Sequence, residues 1–220
     1  MAGARASVWL LRHGDLGEAE LAACRAALSA GEALRERRFV RPERRSQFLA
    51  GRALLRQAIG QLVGVPAATV LLSERRGQAP LAALAGASLP VPFFSLSHSG
   101  PWVACAVSAD TALGLDIEVL DPAREVLALA RQAFDAAAVA ALAQLPEVER
   151  AARFYQLWSE REARYKLGAC AAPVCVSLPH AELSVVLCSA RALAGTPPLR
   201  LIKPAASPRG RAFSPWREVV

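Results

Sequence analysis

Long apolar runs and lysines are scarce in this sequence of 220 residues, and the lack of apolar runs argues against a membrane protein. No apolar run reaches the ~18–20 residues that a membrane-spanning helix needs. The patch VWLL near the N-terminus is too short for the apolar region of a signal peptide. Only two of the 26 lysines and arginines are lysines, Lys166 and Lys203. We therefore expect a cytoplasmic protein without membrane contact, built as one large or two small domains.

The five cysteines show no CxxC spacing, and Cys170 and Cys175 are too isolated from histidines to indicate a zinc site. A free cysteine packs like a small apolar side chain. We therefore expect buried free thiols at all five positions, which are Cys24, Cys105, Cys170, Cys175 and Cys188.

The net charge of +7 is concentrated in one segment, where eight arginines lie between Arg35 and Arg56. Such a cluster attracts phosphate groups or an acidic protein. The segment lacks the interleaved aromatic residues of a nucleic-acid interface, and Phe39 and Phe48 are interpreted as core residues. A non-catalytic basic adaptor that binds nucleic acid or an acidic protein is one interpretation of this cluster.

Apolar periodicity and turn residues predict helices and strands along the whole chain except its tail. The predicted strands are 7–12, 68–73, the hairpin 92–109, 112–120, 174–178 and 183–189. The predicted helices are 18–30, 32–39, 42–63, 124–133, 135–144 and 146–168. The tail, 194–220, is rich in proline and arginine, and we expect it to be poorly ordered or to lie on the surface.

The segment GLDIE places Asp116 and Glu118 at i and i+2 of a predicted strand, so both carboxylates point to one face. Apolar residues flank both acids, which is typical of a core strand. Two neighbouring carboxylates repel each other unless a cation lies between them, and Mg²⁺ prefers oxygen ligands. The motif predicts a metal site, with an ion-pair network or an exposed polar strand face as the alternatives.

The segment FSLSHSG combines hydroxyl groups, a histidine and a turn at the end of a strand. Ser95, Ser97 and His98 are therefore candidates for an anion site. A capped hairpin turn is the alternative. The GxSxG elbow of a serine hydrolase is absent, which argues against a nucleophilic serine.

Two helical segments carry charged residues at a spacing of four. Arg52 and Arg56 in LAGRALLR share one side of a helix, where they either bind an anion or extend to solvent. Trp158, Glu162 and Lys166 in FYQLWSEREARYK share a face as well. The simplest interpretation of this second set is a surface ion pair worth about 0.3–0.5 kcal/mol.

Together and in this order, the motifs resemble the Sfp-type 4′-phosphopantetheinyl transferase superfamily. The resemblance runs from about residue 35 to residue 168 and includes LAGRALLR, the Gly-Gln-Ala-Pro loop, FSLSHSG, GLDIE and WSEREARYK. It is most similar to the compact bacterial holo-(acyl carrier protein) synthases of that group. The resemblance implies an α+β fold of two pseudo-symmetric α/β halves with the active site in the cleft between them.

The same resemblance implies how the chain is divided. Residues 1–110 would form the N-terminal half, which binds coenzyme A and the carrier protein. Residues 111–190 would form the C-terminal half, with the metal-binding acids and the catalytic helix. Residues 191–220 would form a tail.

Residue roles also follow from the resemblance. Asp116, Glu118 and Glu162 would bind Mg²⁺, and Glu162 would alternatively act as the base. Lys166 would contact the coenzyme A phosphates and assist proton transfer, a role that a guanidinium cannot fill because it does not release a proton. The catalytic residues would thus be Glu162 and Lys166. The side chains that we assign to coenzyme A are those of Arg45, Arg52, Arg75, Arg76, Gln78, Ser97, His98 and Lys166.

The implied activity is Mg²⁺-dependent transfer of 4′-phosphopantetheine from coenzyme A to a serine of an apo acyl or peptidyl carrier protein. Adenosine 3′,5′-bisphosphate is the other product, and we expect a monomer that does not bind nucleic acid. Two positions depart from the family pattern. Gln78 stands where the family usually has lysine, so Arg75 or Arg76 is expected to supply the charge, and Arg161 also replaces a lysine. The change at Gln78 makes an inactive family member a further alternative.

Overall fold

The computed structural model of the protein describes residues 3–86, 90–204 and 216–219, the last of these for the backbone only. Within them the chain forms an α+β fold with six α-helices and ten β-strands. The helices are α1 (Glu18–Ala26), α2 (Ala30–Glu36), α3 (Pro42–Val63), α4 (Val126–Ala133), α5 (Ala136–Gln144) and α6 (Glu147–Leu167). The strands are β1 (Ser7–Arg12), β2 (Val70–Ser73), β3 (Leu81–Leu84), β4 (Phe93–Ser99), β5 (Trp102–Ser108), β6 (Leu113–Val119), β7 (Val174–Leu178), β8 (Leu183–Ser189), β9 (Leu199–Pro204) and β10 (Trp216–Val219).

Two larger β-sheets organise the fold. The first sheet has the strand order β10-β9-β1-β5-β4, and the second has the order β6-β8-β7. A third, two-stranded sheet is formed by β2 and β3. The predicted α+β class is confirmed, and the predicted strands and helices are present with differences at their ends. Among the described strands and α-helices up to residue 190, only β3 lies outside every predicted element, because its sequence LAAL has no polar alternation.

The junction between α1 and α2 differs from the prediction. The predicted helices 18–30 and 32–39 are separated at Gly31, but Gly31 lies inside α2, and Ser29 is the N-cap. The Ser29 hydroxyl accepts a hydrogen bond from the Glu32 amide, and the Glu32 carboxylate accepts one from the Ser29 amide. This capping box satisfies two amides that have no partner within the helix, and it therefore determines where α2 begins.

The prediction of a tail without regular structure is wrong for β9. This strand pairs with β1 in parallel, with Leu201 opposite Leu10 and Ile202 opposite Leu11. Ile202 is buried, because it packs into the core below the first sheet. The tail thus supplies a partner for β1, which would otherwise be an edge strand with unpaired backbone groups. The backbone of β10 pairs with β9, and the predicted tail from 205 to 215 lies outside the described residues.

The first sheet is buried on both faces, which explains the weak apolar alternation of its central strands. Trp9 and Leu11 of β1 belong to a core that includes the apolar side chains of α3. Val8 and Leu10 face the other way, into a core shared with β6 and β8. The second sheet is therefore attached to the first sheet through a common apolar layer.

Hydroxyl groups join the two sheets at the edge where β4 meets β6. Three serines of β4 accept hydrogen bonds from alternate backbone amides of β6, and we call these three residues the serine ladder. The donor amides are those of Leu115 to Ser95 at 2.9 Å, Ile117 to Ser97 at 3.2 Å and Val119 to Ser99 at 3.1 Å. Two edge strands are thus bridged by side chains instead of by a backbone ladder.

Helix α6 lies so close to β6 that Gly114 has no room for a side chain. A Cβ atom at this position would overlap the carbonyl oxygen of Ala163. Ala163 is itself fully buried against Val186 and Cys188 of β8. This close approach places the last turns of α6 beside the acidic residues of β6.

The cysteines only partly match the expectation of buried free thiols. Cys24 and Cys105 are buried and free, whereas Cys170 is free and partly exposed. Cys175 and Cys188 form a disulfide, because they lie directly opposite each other on β7 and β8 with Cα atoms 4.0 Å apart. This pairing depends on the register of two strands and not on a sequence spacing.

None of the helices among the described residues combines the length and the apolar character that crossing a bilayer requires.

Candidate active site

A cleft of about 980 Å³ is lined by residues of both predicted halves. Helix α3, the loop after β2 and strand β4 form most of its wall, and residues of α2, of the segment after α2, of β5, of β6 and of α6 contribute the rest. Seven of the predicted site residues line it, namely Arg52, Arg75, Gln78, Ser97, His98, Asp116 and Lys166. The other predicted site residues, all of them described, are not part of this wall, and they are Arg45, Arg76, Glu118 and Glu162.

Lys166 is held at the centre of the site by two oxygen atoms. Its Nζ donates to the Asp116 carboxylate at 2.7 Å and to the Ser97 hydroxyl at 2.9 Å. The Ser97 hydroxyl in turn donates to the same carboxylate oxygen at 3.0 Å. Asp116 is only 4% exposed, and its second oxygen, Oδ2, is buried without a hydrogen-bond partner among the described residues. The site therefore combines an ammonium group with a buried carboxylate whose second oxygen can still accept a hydrogen bond or bind a cation.

Glu118 lies two residues further along β6, on the same side as Asp116. Its Oε2 accepts a hydrogen bond from the Ser99 hydroxyl at 2.7 Å. Burial raises the pKa of Glu118, and the nearby negative charge of Asp116 adds to this effect. The hydrogen bonds from Ser99 and Trp158 and the charge of Lys166 oppose it. Two acids at this spacing favour a cation between them.

Glu162 is not assembled with these two acids into a metal cluster. Among the described residues, no group of three His, Cys, Asp or Glu side chains lies close enough to hold a metal ion. Glu162 is one turn before Lys166 on α6 and is partly exposed. On this helix it is Lys166 that reaches Asp116, so the three-acid set stays a prediction.

Arg44 and Gln47 belong to the site although no motif pointed to them. Arg44 Nη1 donates to His98 Nε2 at 3.2 Å and also bonds to the side-chain oxygen of Gln47. Gln47 Nε2 donates to the carbonyl oxygen of Gly100 at 3.3 Å, in the turn after β4. Desolvation lowers the pKa of His98, and the charge of Arg44 lowers it further. The imidazole is therefore a neutral acceptor beside a guanidinium. The i, i+3 spacing of Arg44 and Gln47 near the start of α3 is the feature of the sequence that could have indicated that these two side chains contact each other.

Two arginines that we assigned to coenzyme A are already held by acids. Arg52 is buried, and its Nη2 lies 2.5 Å from Glu74 Oε1. Arg45 pairs with Glu36 at 3.4 Å and donates to the Phe39 carbonyl oxygen at 3.0 Å. The arginine cluster is therefore less positive than its count suggests, because α2 and the loop after β2 bring three glutamates against it. Those glutamates are Glu32, Glu36 and Glu74.

The loop after β2 places its two arginines differently. Arg75 lines the cleft and donates from Nε to the Ala79 carbonyl oxygen at 3.0 Å. Arg76 lines a smaller neighbouring cavity instead. Gln78 is on the cleft wall, and Gly77 before it has a φ of +68°, which a glycine adopts without strain. Arg75 is thus a better candidate than Arg76 to supply the positive charge that the family's lysine has at the position of Gln78.

The side chains of Phe39, Phe48 and Arg161 have roles that the sequence did not indicate. Phe39 and Phe48 line the cleft and pack against each other with ring centroids 5.3 Å apart, so they are not simply core residues. The Arg161 guanidinium donates to the carbonyl oxygen of Ala133 at the end of α4. Arg161 therefore joins two helices and does not point into the cleft.

Two family models match this chain. One, described as 4′-phosphopantetheinyl transferase, N-terminal, matches residues 17–110, and the other, described as 4′-phosphopantetheinyl transferase superfamily, matches residues 112–194. Together they cover the cleft, the serine ladder and α6. The chain belongs to the 4′-phosphopantetheinyl transferase superfamily.

Three relatives support this membership. The 4′-phosphopantetheinyl transferase HetI of Nostoc sp. is 34% identical over 154 residues, which cover 69% of this chain and 64% of that protein. The 4′-phosphopantetheinyl transferase Sfp of Bacillus subtilis is 30% identical over 130 residues, covering 59% of this chain and 55% of Sfp. The 4′-phosphopantetheinyl transferase AcpT of Escherichia coli is 30% identical over 148 residues, covering 66% of this chain and 70% of AcpT. The aligned part is thus less than two thirds of HetI and of Sfp.

Proposed function

We propose that this chain transfers 4′-phosphopantetheine from coenzyme A to a serine of an apo acyl or peptidyl carrier protein, with Mg²⁺ and with release of adenosine 3′,5′-bisphosphate. The observation that carries the proposal is the cluster of Lys166, Asp116, Ser97 and His98 in one cleft lined by both halves of a superfamily member. A pyrophosphate needs cations around it, and Lys166 supplies one while Asp116 is proposed to hold another.

The residues of β6 fit a hard divalent cation. Asp116 and Glu118 offer carboxylate oxygens on one side of the strand, and Asp116 Oδ2 is buried with no hydrogen-bond partner in the part of the chain that the structure describes. Mg²⁺ usually binds one or two carboxylates together with water and substrate phosphates. When bound, it would neutralise charge on the pyrophosphate oxygens. Asp116 and Glu118 are the residues proposed to hold it, and Glu162 is proposed either as a third ligand or as the base.

The proposed reaction is a displacement at phosphorus. The oxygen of the carrier serine forms a bond to the phosphorus that bears the pantetheine arm. The bond from this phosphorus to the bridging oxygen of the pyrophosphate breaks, and that oxygen leaves with adenosine 3′,5′-bisphosphate. Glu162 would accept the serine proton, and the Lys166 ammonium would stabilise the leaving oxygen.

The part of the cleft wall formed by α3, the segment before it and the loop after β2 suits the nucleotide part of coenzyme A. Phe39 and Phe48 present aromatic surface against which a purine can pack. Arg44 and Arg75 are the guanidinium groups on that wall that we propose for its phosphates, in place of Arg45. Arg52 lines the same wall, but its charge is shared with Glu74.

The deciding experiment uses the purified chain, coenzyme A, Mg²⁺ and a panel of apo carrier proteins, followed by mass spectrometry of each carrier. We expect at least one carrier to gain the mass of phosphopantetheine and to lose that gain when EDTA replaces Mg²⁺. A carrier whose target serine is changed to alanine is the control. If no carrier in the panel gains the mass, the chain is an inactive family member or a binding protein, and the proposed activity is wrong.

The exposed arginines of the cluster are proposed to attract the carrier, since carriers of this kind are acidic near the modified serine. Arg37, Arg38 and Arg41 are exposed and are not part of the cleft wall. Charge between exposed groups acts mainly on the rate of encounter and is screened beyond ~8–10 Å at physiological salt.

Raising the salt concentration to ~0.5 M should therefore increase KM for the carrier more than KM for coenzyme A. Arg41→Glu should have the same selective effect at low salt and leave kcat unchanged. Arg131→Glu makes the same change in net charge as Arg41→Glu, but at an exposed position of α4, and it serves as the control. Equal changes in both KM values, or the same effect in both variants, would contradict this role for the cluster.

A further inference from the structure

The serine ladder does more than join the two sheets. Each of its hydroxyls accepts a hydrogen bond from an amide of β6, but two of the three also donate to a carboxylate of the same strand. Ser97 donates to Asp116, and Ser99 donates to Glu118. Ser95 accepts from the amide of Leu115, and the corresponding residue of β6 is Gly114, which has no carboxylate. Two serines of the ladder therefore donate a hydrogen bond to a carboxylate, and Ser95, which does not, allows a comparison within the same structure.

The Ser99 hydroxyl has its hydrogen committed to Glu118. A hydroxyl carries one hydrogen and two acceptor lone pairs. The amide of Val119 donates to the Ser99 oxygen at 3.1 Å, so it uses a lone pair and leaves the hydrogen for Glu118 Oε2 at 2.7 Å. The orientation of the hydroxyl is thus set by the backbone of β6.

Glu118 is held by a contact between the two sheets. Ser99 lies on β4 in the first sheet, whereas Glu118 lies on β6 in the second sheet. A partly buried glutamate with three rotatable bonds loses rotamer freedom only if such a contact holds it. The orientation of this carboxylate therefore depends on how the first sheet lies against the second.

We propose that Ser99 is a positioning residue that holds Glu118 beside Asp116 in the orientation that binds a divalent cation. The inference rests on the proposed function, because it assigns Glu118 to the metal. Ser97 does not test it cleanly, since Ser97 also contacts Lys166. Ser99 has no described contact with Lys166 and is not on the cleft wall, so its hydroxyl acts on the site through Glu118. Ser95 is on the cleft wall, but its described bond is to a β6 amide and not to Lys166 or to a carboxylate, so it can serve as the control.

The experiment compares Ser99→Ala, Ser95→Ala and Ser99→Thr with the wild-type chain. Binding of Mn²⁺ is measured by electron paramagnetic resonance in the presence of coenzyme A and without a carrier, and unfolding temperature is recorded for each variant. Transfer to an apo carrier is then followed over a range of Mg²⁺ concentrations. Both alanine variants lose one bond to a β6 amide, but only Ser99→Ala loses a bond to a carboxylate.

We expect Ser99→Ala to weaken Mn²⁺ binding by about 10-fold or more, the usual effect of removing a group that orients a metal ligand. It should raise the Mg²⁺ concentration for half-maximal transfer by a similar factor. Ser95→Ala should bind Mn²⁺ like the wild type even if its unfolding temperature falls. Ser99→Thr keeps the hydroxyl and should restore binding.

Equal Mn²⁺ affinity in the two alanine variants would overturn the inference, as would a folded Ser99→Thr variant that binds no better than Ser99→Ala. Absence of Mn²⁺ binding by the wild type would also overturn it, even if transfer to a carrier occurs. If Mn²⁺ binding depends on Ser99 but no carrier is modified, the inference stands and the proposed function fails.

Discussion

Replacing Asp116 by asparagine should reduce transfer of phosphopantetheine by at least about 100-fold while the chain stays folded. The amide keeps the volume of the side chain but removes its charge, so the carboxylate proposed both to hold Mg²⁺ and to orient Lys166 is lost. Charge neutralisation by a metal ion supplies several kcal/mol in the transition state, and each ~1.36 kcal/mol is a factor of ten in rate. Transfer is measured by mass spectrometry of the carrier at saturating coenzyme A.

The fold should tolerate this change because the ammonium group of Lys166 is not left unpaired in the protein interior. The Lys166 side chain is 28% exposed, so water can solvate its ammonium once the side chain at position 116 is neutral. Asp121→Asn, at an exposed position just after β6, is the matched control and should transfer normally. Wild-type kcat in Asp116→Asn at saturating Mg²⁺ would show that Asp116 does not belong to the reacting site.

Replacing Glu32 by glutamine should cost about 3–5 kcal/mol of the free energy of unfolding, the usual penalty for removing one partner of a buried ion pair. Glu32 is fully buried and lies 2.5 Å from Arg56 Nη2 and 3.4 Å from Arg52 Nε. Both arginines are buried as well, so neither can turn to solvent when the carboxylate is replaced by a neutral amide. Urea unfolding followed by circular dichroism measures the loss.

Glutamine is chosen because it removes the negative charge of Glu32 but keeps an oxygen atom that can complete the N-terminal cap of α2. Glutamine at this position can still accept the hydrogen bond from the Ser29 amide that completes the capping box. Glu43→Gln changes an exposed acid at the start of α3 and should alter stability by less than about 0.5 kcal/mol. A loss below about 1 kcal/mol in Glu32→Gln would contradict a structural ion-pair network and would return Arg52 to the candidates for coenzyme A phosphates.

Features that depend on neighbours in the sequence were predictable. The spacing of Trp158, Glu162 and Lys166 indicated a helix, and α6 spans all three residues. The Asp135 side chain accepts a hydrogen bond from the Ala138 amide and caps α5, as expected of an acid before an alanine-rich helix. The alternation in GLDIE indicated a strand with both acids on one face. Such features follow from backbone periodicity and local hydrogen bonding, which operate over a few residues.

Contacts between distant parts of the chain were decided only by the tertiary structure. The pairing of β9 with β1, the disulfide between β7 and β8, and the serine ladder each join segments whose register no local pattern specifies. The roles of the arginines changed for the same reason. Arg52 is neutralised by glutamates that α2 and the loop after β2 bring against it, while Arg44 is left beside His98. Sequence by itself determined which chemical groups this protein possesses, and packing between distant elements decided which of those charges are paired and which face the cleft.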